Sequence, residues 1–162
     1  MIIITDTREQ RPLDFSKIPA RPKVEVATLE TGDYSVKGLE AVVCLERKSV
    51  GDLVNTLVRS KARFAKELER MRAFKYAAIV VEGTRRDIHL HRYRSKIAPR
   101  AVEGLVNYIW VGTRIPTFWC DDEEMCAEAV YSILKQVWKK ETFTALKKSW
   151  DEKKPEIYDG GH

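Results

Sequence analysis

The sequence predicts an α/β domain, and three patterns lead there. Residues 41–45 and 76–81 are short apolar runs of the kind found in strands covered on both faces. One-sided apolar stripes at helical spacing follow each run: Leu53, Val54, Leu57 and Val58 after the first, and Val102, Leu105, Val106, Ile109 and Trp110 after the second. The first run then ends in three consecutive charges, Glu46-Arg47-Lys48, at the end of a strand, where α/β folds keep functional groups.

The 162 residues suit one domain with a real core. We divide the chain at 138, with a basic helix and tail over 139–162. Within 1–138, a motif-bearing core covers 1–83, a basic loop 84–100 and a completion of helix and strand 101–138. The formal net charge of +5, from 29 basic and 24 acidic residues, is moderate, so distribution matters more than the total. No apolar run reaches 18 residues, and no basic leader or cleavage site opens the chain. A soluble, cytoplasmic protein without membrane partners is expected, in a bacterial cell or a phage-infected host. Cys44, Cys120 and Cys126 lack CxxC spacing and are odd in number, which fits small core residues in a reducing compartment.

Ile2 to Thr5 reads as the first strand, running into the polar cluster Asp6-Thr7-Arg8-Glu9-Gln10. Three prolines make 11–22 a loop, and Lys23 to Thr28 alternates as a half-buried second strand. Gly32-Asp33 leads through Gly38 into the strand over 41–48, a hairpin. Side chains alternate along a strand, so Glu46 and Lys48 share one face, roughly 7 Å apart, and Arg47 takes the other. A two-residue Gly38-Leu39 loop sets Asp33 opposite Cys44. A four-residue loop sets it nearly opposite Glu46. Both keep Asp33 on the face of Glu46, whereas an odd loop breaks that parity.

Ser49 and Asp52 form a capping pattern that opens a helix. Phe64, Leu68 and Met71 repeat the apolar stripe in the next segment. Arg59, Lys61, Arg63, Lys66, Arg70, Arg72 and Lys75, against Glu67 and Glu69, favour a polyanion. After the strand over 76–81, residues 85–100 carry Arg85, Arg86, Arg92, Arg94, Lys96 and Arg100 against Asp87 alone, a loop suited to phosphate contact. His89 and His91 have no accompanying cysteine or acid cluster, which points to an exposed basic loop rather than a metal site. Pro99 opens the helix whose buried face runs Val102, Leu105, Val106, Ile109 and Trp110. Ile115 to Cys120 is a short strand. Asp121 to Glu124 cap a helix carrying Cys126, Val130, Ile133, Leu134 and Val137. Phe143, Leu146 and Trp150 suggest a last amphipathic helix, and 159–162 a disordered end.

Two carboxylates and a lysine at the end of a hairpin, in a basic domain, are what metal-assisted phosphodiester cleavage requires. Acidic oxygens hold the ion, and the lysine orients water or steadies developing charge. Gly32-Asp33, Glu46-Arg47-Lys48 and Asp52 together resemble the GD…ERKxxxD motif of the XPF-type structure-specific DNA endonucleases. Asp6-Thr7-Arg8-Glu9 is similar to their first-strand D-x-R-E element, and the basic segment 59–71 to the helix that follows.

The resemblance implies a restriction-endonuclease-like mixed central sheet flanked by helices. It implies that Asp33 and Glu46 ligate Mg²⁺, or Mn²⁺ in its place, with the backbone carbonyl of Arg47. Lys48 is then the catalytic lysine. Asp6 and Glu9 complete the site, with Asp6 near a metal, while Arg8, Arg47 and Asp52 support the others. The implied substrate is branched, flap or junction DNA, and a homodimer is an expected assembly; from the charge pattern, Arg59, Lys61, Arg63, Arg85, Arg86, Arg92, Arg94 and Lys96 are expected to hold the DNA. No helix-Gly-x-Gly-helix pattern follows residue 120, so the resemblance is to a minimal bacterial or phage form. A non-catalytic DNA-binding or subunit-pairing module of the same fold is the alternative, as is a basic domain whose acids only cap and pair.

Overall fold

The computed structural model describes residues 1–152; the expected disordered end at 159–162 lies outside them. Six strands form one mixed sheet in the order β2-β1-β3-β4-β5-β6. Its centre is the hairpin β3 (Tyr34–Val36) and β4 (Val43–Ser49), antiparallel with Tyr34 opposite Leu45. The first strand, β1 (Ile2–Asp6), pairs antiparallel with β3 and parallel with β2 (Lys23–Ala27). On the other side β4, β5 (Tyr76–Glu82) and β6 (Thr117–Cys120) run parallel. This is the α/β class expected, with a mixed sheet.

Alternation along β4 divides the core in two. Val43 and Leu45 join Ala78 and Val80 of β5 under α5 (Glu123–Glu152), which buries Cys126, Val130, Leu134 and Val137. Cys44 joins Ile79 and Val81 on the opposite face. There α1 (Val50–Arg59), α2 (Lys61–Arg72), α3 (Arg85–His89) and α4 (Pro99–Thr113) cover the sheet. All three cysteines are buried and free.

Two of these helices, α1 and α4, begin at the start signals in the sequence. Ser49 accepts the amide of Asp52 as the N-cap of α1, and Pro99 opens α4. A glycine is required just before Asp33. Gly32 has φ +83°, and a Cβ there would lie 2.6 Å from Cys44 Sγ and 2.9 Å from the Leu45 carbonyl oxygen.

Several expectations need correction. The second strand is exposed throughout rather than half-buried, because it is the last strand of the sheet and pairs with β1 alone; Val26 is 70% exposed. The hairpin turn spans 37–42 and contains a bend where Leu39 bonds back to Val36, so neither short loop forms. Trp110 lies on the outer side of α4, 61% exposed, while Val102, Val106 and Ile109 take the buried stripe. Residues 84–100 are not wholly loop: Thr84 and Asp87 close a capping box that forms α3. One helix runs through 138 without a break, so Phe143, Leu146 and Trp150 sit on the far end of α5 and are exposed. Among the described residues, no helix is long and apolar enough to cross a membrane.

Candidate functional site

The site forms where β3 and β4 separate. Asp33, just before β3, lines one small hollow with Glu46 of β4, and its negative charge acts on the Glu46 carboxyl. The turn is longer than expected but keeps the even parity, so Asp33, Glu46 and Lys48 face the side of α1 and α2. The Asp33 amide donates to the Leu45 carbonyl at 2.8 Å, and the Arg47 amide donates to Asp33 Oδ2 at 2.8 Å. The backbone of β4 thus orients the Asp33 carboxylate. Lys48 Nζ donates to Glu46 Oε1 at 2.8 Å, lies 3.6 Å from Glu67 Oε1 and sits over the Phe64 ring.

Burial dominates the electrostatics. Desolvation pushes both acids above the usual carboxylate range, Asp33 to about 6 and Glu46 to about 8. For Glu46 the next cause is the negative charge of Asp33, and for Asp33 the charge of Glu9 adds to the rise. Burial acts to lower the Lys48 ammonium, but Glu46 and Glu67 more than offset it, and its pKa rises. The lysine is a permanent cation between acids that repel one another. Among the described residues, no group of three or more His, Cys, Asp or Glu side chains is assembled as a metal cage. The pair that could hold an ion is Asp33 and Glu46.

The remaining expected residues divide. Asp6 lines the same small hollow as Asp33 and Glu46, but its carboxylate is already saturated. It accepts from Arg8 N, Nε and Nη2 and from the Leu29 amide. Burial pushes this carboxyl up, yet Arg8 and those amides outweigh it and hold it below its usual value. Arg8 is therefore the Asp6 partner. Glu9 accepts the Arg11 amide and lines a neighbouring hollow with Arg47, Lys48 and Asp52. Arg47 points to the other face, buried, bonded to Glu82 and to the Arg11 carbonyl. Asp52 accepts the Ser49 hydroxyl at 2.6 Å, part of the α1 cap.

Of the basic residues, Lys61, Arg63, Arg86, Arg94 and Lys96 are exposed. Arg59 and Arg92 line a cleft with Arg94. Arg85 turns elsewhere, to Glu103, Asn107 and the Trp119 ring. Glu67 was not singled out from the sequence as a site residue. It falls between Phe64 and Met71 on the inward edge of α2, and an acid at that edge of a buried stripe was the available signal. Glu82, the Arg47 partner, likewise ends β5.

The ERCC4 domain family model matches residues 5–133. No protein of curated function matches the sequence. Among solved structures, XPF from Aeropyrum pernix is similar at 21% identity and TM-score 0.66, over 85% of this chain and 61% of that one. The same protein in complex with DNA gives TM-score 0.63 at 21% identity, over 85% and 65%. The chain thus spans less than two thirds of those structures. From the family match, the sheet order and the shared fold, one conclusion follows: the chain belongs to the ERCC4 domain family and is folded as an XPF-type nuclease domain.

Proposed function

We propose that the protein is a divalent-metal-dependent DNA endonuclease that hydrolyses one strand at branched, flap or junction DNA. The observation that carries this reading is the meeting of Asp33 and Glu46 in one hollow, with Lys48 bonded to Glu46. The family membership and the DNA complex of the Aeropyrum pernix XPF support nucleic acid as the substrate class.

The donor set fits a hard cation. Mg²⁺ binds through one or two carboxylates and keeps several waters, so two acids suffice. Asp33 and Glu46 are buried acids in mutual repulsion, and a dication relieves it. The Thr31 hydroxyl, buried without a partner, belongs to the same hollow. Asp6 fits poorly as a ligand because four donors already occupy its oxygens; we assign it the role of a strut holding the end of β1. When bound, the ion would neutralise phosphate charge and make a neighbouring water more acidic.

The chain supplies the rest. Lys48, kept cationic and tethered by Glu46 and Glu67, is placed to steady charge developing on a phosphate oxygen. The Arg47 amide holds Asp33 Oδ2 in place, and the Arg47 side chain braces β4 against β5 through Glu82. Arg59, Lys61 and Arg63 follow the site on exposed helix surface, suited to phosphate contact. Glu46→Gln keeps the shape of the site and removes a charge. With Mg²⁺, it should still bind a flap or fork DNA while cutting falls by about a hundredfold or more. Cleavage undiminished in this variant would sink the assignment.

A further inference from the structure

A cavity larger than the hollow at the acids lies beside them: a cleft of about 530 Å³ between α1 and the segment after α3. From α1 come Asp52, Asn55 and Arg59, a stripe at helical spacing on the side away from the buried Leu53, Val54 and Leu57. Across from them stand Arg92, Tyr93 and Arg94. Three guanidinium groups face one carboxylate, and that carboxylate, Asp52, already accepts the Ser49 hydroxyl. Arg92 is shared with Asp87 at 3.0 Å, but Arg59 and Arg94 have no carboxylate partner among the described residues.

The facing wall is built rather than loose. Arg92 N donates to the Asp87 carbonyl, and Tyr93 Oη donates to the Ile97 carbonyl at 2.9 Å. The His91 ring bonds the Ser95 carbonyl oxygen at 2.8 Å and stacks on Tyr93 with ring centres 4.4 Å apart. His91 itself sits at φ +55°, a conformation that costs an L residue energy and persists only when its surroundings fix it.

The cleft also adjoins the site. Asp52 lines both it and the small hollow shared by Glu9, Arg47 and Lys48. From Asp52 to Arg59 is about 10 Å along the helix, enough to meet successive phosphates of one strand. A cleft of this size admits one strand, not a paired duplex.

We propose that this cleft is a subsite for the single-stranded part of the DNA, gripping it a few nucleotides from the bond cut. It rests on reading Asp33 and Glu46 as a nuclease centre. Arg59 and Arg94 hold phosphates there, Arg92 reinforces them from its Asp87 anchor, and Asn55 and Tyr93 meet the sugar or base. The subsite makes a minimum single-strand length on one side of the cut a requirement of tight binding.

The test is binding, in Mg²⁺, by the Glu46→Gln protein, with fluorescent duplexes carrying single-stranded tails of zero to about eight nucleotides, 5′ and 3′. For one polarity, affinity should rise about tenfold over the first few nucleotides of tail, with a steeper salt dependence. Adding Arg59→Ala and Arg94→Ala should abolish that rise and flatten the salt slope by about 1.4. Both side chains are exposed, and the readout is the ratio of tailed to untailed affinity within each protein, so a general loss of binding does not imitate the result. Affinity independent of tail length, an equal rise in both polarities, or a rise surviving the double substitution would each overturn the subsite. Because nothing is cut, such a failure leaves the nuclease reading standing, and a cleavage failure in the parent protein leaves a tail-dependent step unexplained by it.

Discussion

Glu46 and Asp33 are acids that the fold makes reluctant to ionise, and a pH experiment without metal can read this directly. Both have folded-state values above their ordinary ones, so the folded chain holds these protons more tightly than the unfolded chain. Their contribution to stability is complete below the unfolded values of 3.8 and 4.5 and is lost as pH rises through about 6 and about 8. In EDTA, Glu46→Gln should therefore gain Tm relative to wild type between about pH 5 and about pH 9, since glutamine stands for the protonated acid. A constant difference across that range would mean that Glu46 ionises freely. Residue chemistry was only partly legible. Strand parity alone put Glu46 and Lys48 on one face, and hairpin parity brought Asp33 to them. The engagement of Asp6 was hidden, because it depends on the Leu29 amide, 23 residues away, arriving at its carboxylate.

At the level of elements, the site depends on two short features: the Gly32 approach to β4 and the cap of α1. Gly32→Ala meets both a left-handed φ and a Cβ 2.6 Å from Cys44 Sγ, which should cost about 2 kcal/mol or more of stability and shift Asp33 with it. Chemical denaturation checks the first effect; a free energy within error of wild type would show that the strands separate there without cost. Ser49→Ala removes the bond to the Asp52 amide and should cost about 1 kcal/mol while leaving Lys48 in place. Caps and stripes were readable because their signals are local. The azimuth of a helix is not, which is why Glu67 was only set against the basic charges around it when it reaches Lys48, and why Trp110 was placed inside α4. The continuity of α5 did have a signal: no glycine or proline interrupts residues 123–152.

For the molecule as a whole, the sheet puts its structural and chemical burdens on opposite ends of one strand. Val43, Cys44 and Leu45 of β4 knit both cores together, and the next three residues carry the charges. The strand order was not recoverable from the sequence. Whether β2 joins β1 or the far edge depends on where the 7–22 crossover packs, and that is decided by Leu13, Phe15 and Ile18 entering the core under α5. The central claim concerns the pair at the end of β4, and it is tested most directly by titrating Mn²⁺ into metal-free protein by calorimetry. Wild type should show binding that Asp33→Asn weakens by about tenfold or more. Mn²⁺ binding that is absent from wild type, or unchanged by Asp33→Asn, would contradict it.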